Sequence, residues 1–324
     1  MRSLFPARRP RAGLALSEST MSMVELAPRW RGAIRICRLA TTPLPPGLVR
    51  PNATGANIAD AAELTRLLRD LLRATTQRTL AISLPMACVH VALFSFESLP
   101  DRESDRLAVL RWRFQQDEQL AVGDAEITYR VYPRSRISRA EQNGGAESTV
   151  LAVAIPRAVL HPYETVLEQA GVVPACVSWS TLQLFDLAQP LMASAAEVVC
   201  VHQNPYSWVV IIVREGQPVF LRVKPGRVPP EEEEAAIRGT LHYYDDLYPH
   251  AAADAASQPA LLYHLRDEWL GGSEQEETGR MFEPVPGSAW RVQSDVLAWS
   301  RLCLQGRRPT GPSEWSALAG VLAS

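Results

Sequence analysis

The chain predicts an α/β fold of two lobes, each built on the same β-β-β-α-β unit. Three observations carry this reading. A tight apolar hairpin spans Gly13 to Leu26, and a second spans Val198 to Val213. After each hairpin come one more strand, one helix and one further strand, in the same order. Small polar turn residues between two extended apolar runs are what mark a hairpin.

In the first unit the turn lies at Ser17 to Thr20, and Ala33 to Leu39 alternates apolar and basic residues as a third strand. Residues 43 to 56 are rich in Pro, Gly and Asn and read as a loop. Asn57 is the expected cap of a helix to about Arg73, with Asp60 in its first turn and Leu64, Leu67, Leu68 and Leu71 on one face. Thr79 to Leu84 is a short buried strand stopped by Pro85.

A different grammar follows. Val89 to Phe96 is a strand, and Asp101 caps a helix to about Gln119 with Leu107, Leu110, Arg111 and Phe114 at helical spacing. Ile127 to Tyr132 and Thr149 to Ile155 are strands around a polar loop, 133 to 148. A helix from about Leu160 stops at Gly171, a natural residue just past a helix end. Val172 to Ser178 and a helix through Leu187 complete this half.

The second unit adds Val219 to Val223 after a turn at Gly216. Pro229 and Pro230 precede Glu231 to Glu234, acids that suit the positive start of a helix reaching about Tyr248. Ile237, Leu241, Tyr244 and Tyr248 form its inward stripe, and Ala260 to Tyr263 is the closing strand. Helices are expected from Ser294 and from Ser313 to the end. The predicted divisions are a basic arm at 1–12, a first lobe at 13–194 and a second lobe at 195–324. Such duplication is the signature of the actin, Hsp70 and RNase H type of architecture, two halves around a nucleotide cleft.

Composition narrows the function. A net charge of −2 opposes a broad nucleic-acid footprint. No apolar run approaches the ~20 residues that span a bilayer. The N-terminal arginines, Arg2, Arg8, Arg9 and Arg11, are followed by no apolar stretch of the kind a secretory signal needs. The five cysteines are scattered, without CxxC or Cys/His spacing, so no disulfide framework and no zinc site is indicated. Cys37, Cys88 and Cys200 lie in apolar strand-like runs as small hydrophobes, which fits a reducing cytoplasm.

Segments spread along nearly the whole chain carry a closer likeness: GLALSESTMSMVEL, TLAISLP, LPDRESDRLAVLRWRFQQDEQL, EITYRVY, VLAVAIPRAVLHPYETVLEQAGVVPACV, REGQPVFLRV, AAIRGTLHYYDDLYP and SALAGVLAS. In their order and spacing they resemble PilM, the actin-like cytoplasmic protein of type IV pilus assembly. The chain is similar, more distantly, to the cytoplasmic part of the type II secretion protein GspL. The resemblance implies an actin-like fold with a subdomain inserted in the first lobe at about residues 87–172, and a cytoplasmic place at the inner membrane. It also implies a partner: the short tail of a PilN-type membrane protein, docked in a groove between the first subdomain and the insertion. Arg111 and Trp112 on the insertion helix are the candidate groove residues. A secretion-type relative would continue into a transmembrane helix, and the absence of one before Ser324 favours the pilus type.

The same resemblance exposes departures. A family hairpin of the form GIDIGSSSVK has its metal-holding Asp at Ala15, its glycine at Ser17 and its lysine at Ser22. The second, of the form DIGAS, has His202 for the acid, Asn204 for the glycine, and Pro205, which removes a backbone donor. Tyr263 and His264 stand where a glycine-rich turn grips the nucleoside. Magnesium–ATP needs oxygen ligands and a close backbone approach to its phosphates. The expectation is therefore a pseudo-ATPase scaffold with neither metal nor nucleotide; the competing reading is an actin-like ATPase using ATP and magnesium through divergent motifs. Tyr243 to Asp246 is no acidic metal site on this reading, because adjacent carboxylates on a helix point apart.

Overall fold

The first hairpin forms with the register its alternation dictates. Strand β1 (Ala12–Leu16) pairs antiparallel with β2 (Thr20–Leu26), from Ala12 opposite Glu25 to Leu16 opposite Met21. Strand β3 (Ile34–Pro43) adds antiparallel to β2, helix α1 (Ala61–Leu72) crosses over, and β4 (Thr79–Leu84) returns parallel to β1. The computed structural model describes residues 10–27, 34–73, 75–117, 122–135, 147–189, 192, 197–204, 207–226, 228–248, 260–266, 292–295, 304–306 and 312–323. Residues 1–9 of the arm expected at 1–12, most of the polar loop at 133–148 and Pro205 lie outside the described residues.

The inserted part is a three-stranded antiparallel sheet of β5 (His90–Phe96), β6 (Glu126–Ser135) and β7 (Glu147–Ile155), in the order β5-β7-β6, with α2 (Glu103–Asp117) between β5 and β6. One face carries Ala92, Phe94, Val150, Ala152 and Ala154 against Leu110 and Phe114 of α2. The other face, with Leu151, Val153 and Ile155, merges into the main core. Helix α3 (Arg157–Gln169) then packs on α1, and β8 (Val173–Trp179) closes the large sheet beside β4. The separate sheet thus ends at Ile155 rather than near 172, because Val159, Tyr163, Val166 and Leu167 of α3 face the first lobe's core.

Helix α4 (Ser180–Ala188) joins the lobes. The second unit is β9 (Glu197–Asn204), β10 (Ser207–Arg214), β11 (Gln217–Pro225), α5 (Pro230–Leu247) and β12 (Ala260–Arg266), with β13 (Val292–Asp295) outside β12. Its sheet runs β11-β10-β9-β12, the same third-second-first-fourth order as β3-β2-β1-β4 in the first lobe. The chain then returns. Strand β14 (Leu304–Gly306) pairs parallel with β3, and α6 (Pro312–Ala323) lies on β1, β2 and β4. The expected second lobe of 195–324 is corrected at its end, since the C-terminal strand and helix complete the first lobe.

Three local expectations change. Asp60, not Asn57, caps α1, accepting from the Glu63 N–H at 3.0 Å. Asn57 is instead buried in the preceding loop, donating to the Asn52 carbonyl and to Cys88 Sγ. The helix expected from Ser294 begins as strand, because Ser294 and Asp295 pair with Leu262 and Tyr263. Cys37 is exposed, whereas Cys88 and Cys200 are buried as expected. The pairing of β2 and β3 slips between Glu25 and Leu26, leaving Cys37 as the extra residue of a bulge and so off the buried face. Burial pushes the Cys88 thiol up to about 12, which keeps it protonated and unreactive.

Candidate functional site

The strand registers set five short side chains abreast across the first sheet. Thr41 of β3 is opposite Ser22 of β2, Ser22 opposite Ala15 of β1, Ala15 beside Ser83 of β4, and Ser83 beside Ser178 of β8. Ala15 sits in a tight apolar seam with Ala81, Leu184, Ala317 and Leu318, under helices α4 and α6. The seam is close enough to demand glycine at Gly13. A Cβ there would penetrate the Ala317 carbonyl oxygen and come within 2.6 Å of Val321 Cγ2.

Each altered position of the first hairpin is committed locally. Ala15, 2% exposed, offers no oxygen to a metal. Ser17 closes its own turn: its Oγ accepts from the Thr20 N–H at 3.0 Å, and its N–H donates to the Thr20 carbonyl at 2.9 Å. The Thr20 amide, a donor that a glycine would have left open to a phosphate, is thereby satisfied. Ser22 is fully buried and shares a hydrogen bond with Thr41 at 2.8 Å; Thr41 in turn donates to Glu314 Oε1 of α6 at 2.9 Å.

In the second hairpin His202 is 3% exposed, and its Nδ1 shares a hydrogen bond of 2.8 Å with Thr181 Oγ1 in the first turn of α4. That partner lies 21 residues away in sequence, on a different element. Asn204 is the last residue of β9. Tyr263 and His264 belong to strand β12, paired with Cys200 and Val201, so the expected turn after Leu262 does not occur there. Tyr263 is 1% exposed and part of the main core. Ala15 and His202 thus lie in their own lobes' interiors, each touching a helix that joins or closes the lobes. Among the described residues no three His, Cys, Asp or Glu side chains gather as a metal site.

Arg111 and Trp112 are not brought together. Arg111 Nη2 donates to the Ala125 carbonyl at 2.9 Å, tying α2 to its own subdomain. Trp112 points away from the buried Leu110 and Phe114 and is 57% exposed. Phe114 is core, edge-on to Phe94 at 5.1 Å between centroids.

Other features have no signal in sequence spacing. Glu197 Oε1 accepts from Tyr244 Oη at 2.6 Å and from Arg214 at 2.9 Å, deep in the second lobe. Arg130 of β6 makes a bidentate pair with Asp186 of α4 at 2.6 and 2.7 Å. Their members are 17 to 56 residues apart. No helix among the described residues is long and apolar enough to cross a membrane.

No protein-family profile and no curated protein matches the chain. Solved structures do. A chain of a PilM–PilN type IV pilus biogenesis complex superposes with a TM-score of 0.61 at 17% identity, covering 98% of this chain and 99% of that one. The cytoplasmic domain of EpsL, an inner-membrane component of the Vibrio cholerae type II secretion system, gives 0.45 at 11% identity over 97% and 94%. A Bacteroides thetaiotaomicron protein of unknown function with an actin-like ATPase fold gives 0.42 at 10% over 83% and 85%. The repeated sheet order, the inserted subdomain and the end-to-end match to the first of these establish that the chain has the actin-like fold.

Proposed function

We propose that this protein is a cytoplasmic scaffold of a type IV pilus or related secretion platform at the inner membrane. It holds the cytoplasmic tail of a PilN-like membrane protein and does not hydrolyse ATP. The observation that carries the reading is the likeness, over the full length of both chains, to a component of the PilM–PilN complex. The partner assignment draws on that neighbour and on the sequence segments shared with PilM.

The loss of hydrolysis is inferred from the hairpins. A metal–triphosphate needs a carboxylate at Ala15 or His202 and an open amide at the first turn. An alanine in an apolar seam, a histidine hydrogen-bonded to Thr181 and an amide taken by Ser17 supply none of these. The lobes keep the architecture and spend the cleft residues on packing.

Calorimetry tests both halves of the reading. Magnesium–ATP titrated into the full chain should give no heat of binding up to millimolar nucleotide, and micromolar affinity would return the protein to the ATPases. A PilN-type N-terminal tail peptide should bind, and Trp112→Ala should weaken it without changing the thermal midpoint. No binding of the tail by the wild-type chain would remove the pilus assignment.

A further inference from the structure

The inserted sheet touches more than the lobe it interrupts. Its inner face, with Val91, Leu93, Tyr132, Leu151, Val153 and Ile155, packs on the same continuous core that contains Val209 and Ile211 of the second lobe. Strand β11 of the second lobe runs beside β5 and β7. On its other edge, β6 reaches the helix between the lobes, where both nitrogens of the Arg130 fork donate to the two oxygens of Asp186. Planar two-point pairing of this kind fixes orientation as well as distance. Asp186 is 18% exposed and Arg130 52%, so the pair is shielded on the helix side and open to solvent on the strand side. One residue past α4, Gln189 Nε2 donates to the Gly216 carbonyl in the β10–β11 turn at 3.1 Å.

We propose that the inserted subdomain is a strut that sets the angle between the two lobes, with Arg130 and Asp186 as its latch. Three bodies meet at α4: the insertion through Asp186, the second lobe through Gln189, and the first lobe through Leu184 and Leu187 in the seam under α6. A rotation of one lobe on the other must therefore break the latch or slide β11 along β5. The inference stands apart from the pilus reading, because it needs no partner and no nucleotide.

Hydrogen exchange on the full chain tests it. Asp186→Asn keeps the shape of the side chain and removes the charge that fixes the Arg130 fork. The expected result is faster amide exchange, by about tenfold, in β6, in α4 and in the distant strand β11. The charge swap Arg130→Asp with Asp186→Arg should return β11 to wild-type protection. Wild-type exchange in β11 of the Asp186→Asn variant would reduce the pair to a local contact and overturn the strut. Failure of the swap to restore β11 would overturn the latch equally.

Discussion

The two repeats share a sheet order, but the face that the first sheet turns to α6 and the face that the second turns to α5 are filled by different means. In the first, small residues let elements approach closely. Gly13 and Ala15 lie against Ala317 of α6, and Ser22, Thr41 and Glu314 link β2, β3 and that helix by short hydrogen bonds. In the second, large side chains fill the space. Trp208, Tyr244 and Phe220 pack between α5 and its sheet, and Glu197 accepts hydrogen bonds from both Arg214 and Tyr244. The difference teaches that a helix can be seated on one kind of sheet in two ways. A helix seated on glycine and alanine gains by shape, and a helix seated on aromatics gains by area and pairing.

The largest expected effect breaks the first arrangement. Gly13→Val places a branched side chain where even a Cβ meets backbone, and backbone cannot turn aside as a flexible side chain can. Helix α6 must lift, at a cost of about 3 kcal/mol or more. Urea unfolding should show the loss, and a change below about 1 kcal/mol would mean that the seam is looser than the structure has it.

Next is the triad of the second lobe. Glu197→Ala leaves the Arg214 guanidinium and the Tyr244 hydroxyl short of their shared acceptor in a buried site. The expected loss is about 2 to 3 kcal/mol, toward the lower end because Arg214 retains 21% exposure. Tyr244→Phe in the same background should then add little, since its partner is already gone; full additivity of the two would count against a coupled triad.

The smallest effect concerns the two buried positions Ala15 and His202. Thr181→Val removes the hydroxyl that meets His202 Nδ1 and should cost about 1 kcal/mol. Calorimetric unfolding that is unchanged by Thr181→Val would show that the histidine is held by its other surroundings, and the parallel between the two positions would narrow to burial alone.

Much of the fold was legible in residue order. The hairpin at Ser17–Thr20, the strand at Thr79–Leu84, the α5 stripe of Ile237, Leu241 and Tyr244, and the helix stop at Gly171 all follow local rules and appear in place. Boundaries failed where two caps competed. Asn57 and Asp60 are both good helix caps, and Asn57 was drawn into a buried loop with Asn52 and Cys88, contacts that spacing does not display. The altered residues of the candidate site were visible by type. Their fate was not, because His202 meets Thr181 only when β9 docks on α4, and Ser22 meets Glu314 through Thr41 only when the C-terminal helix returns.

Hydrophobic period, turn chemistry and the repeated β-β-β-α-β order are local properties, and by themselves they determined the strands, the helices and the two repeated units. Tertiary structure alone decided that the last strand and helix complete the first lobe, and that the insertion reaches α4 through Arg130 and Asp186. The physical reason is sequence distance. Pairing β14 with β3 joins segments that begin at Leu304 and Ile34, and a contact between such remote segments leaves no periodic trace along either one.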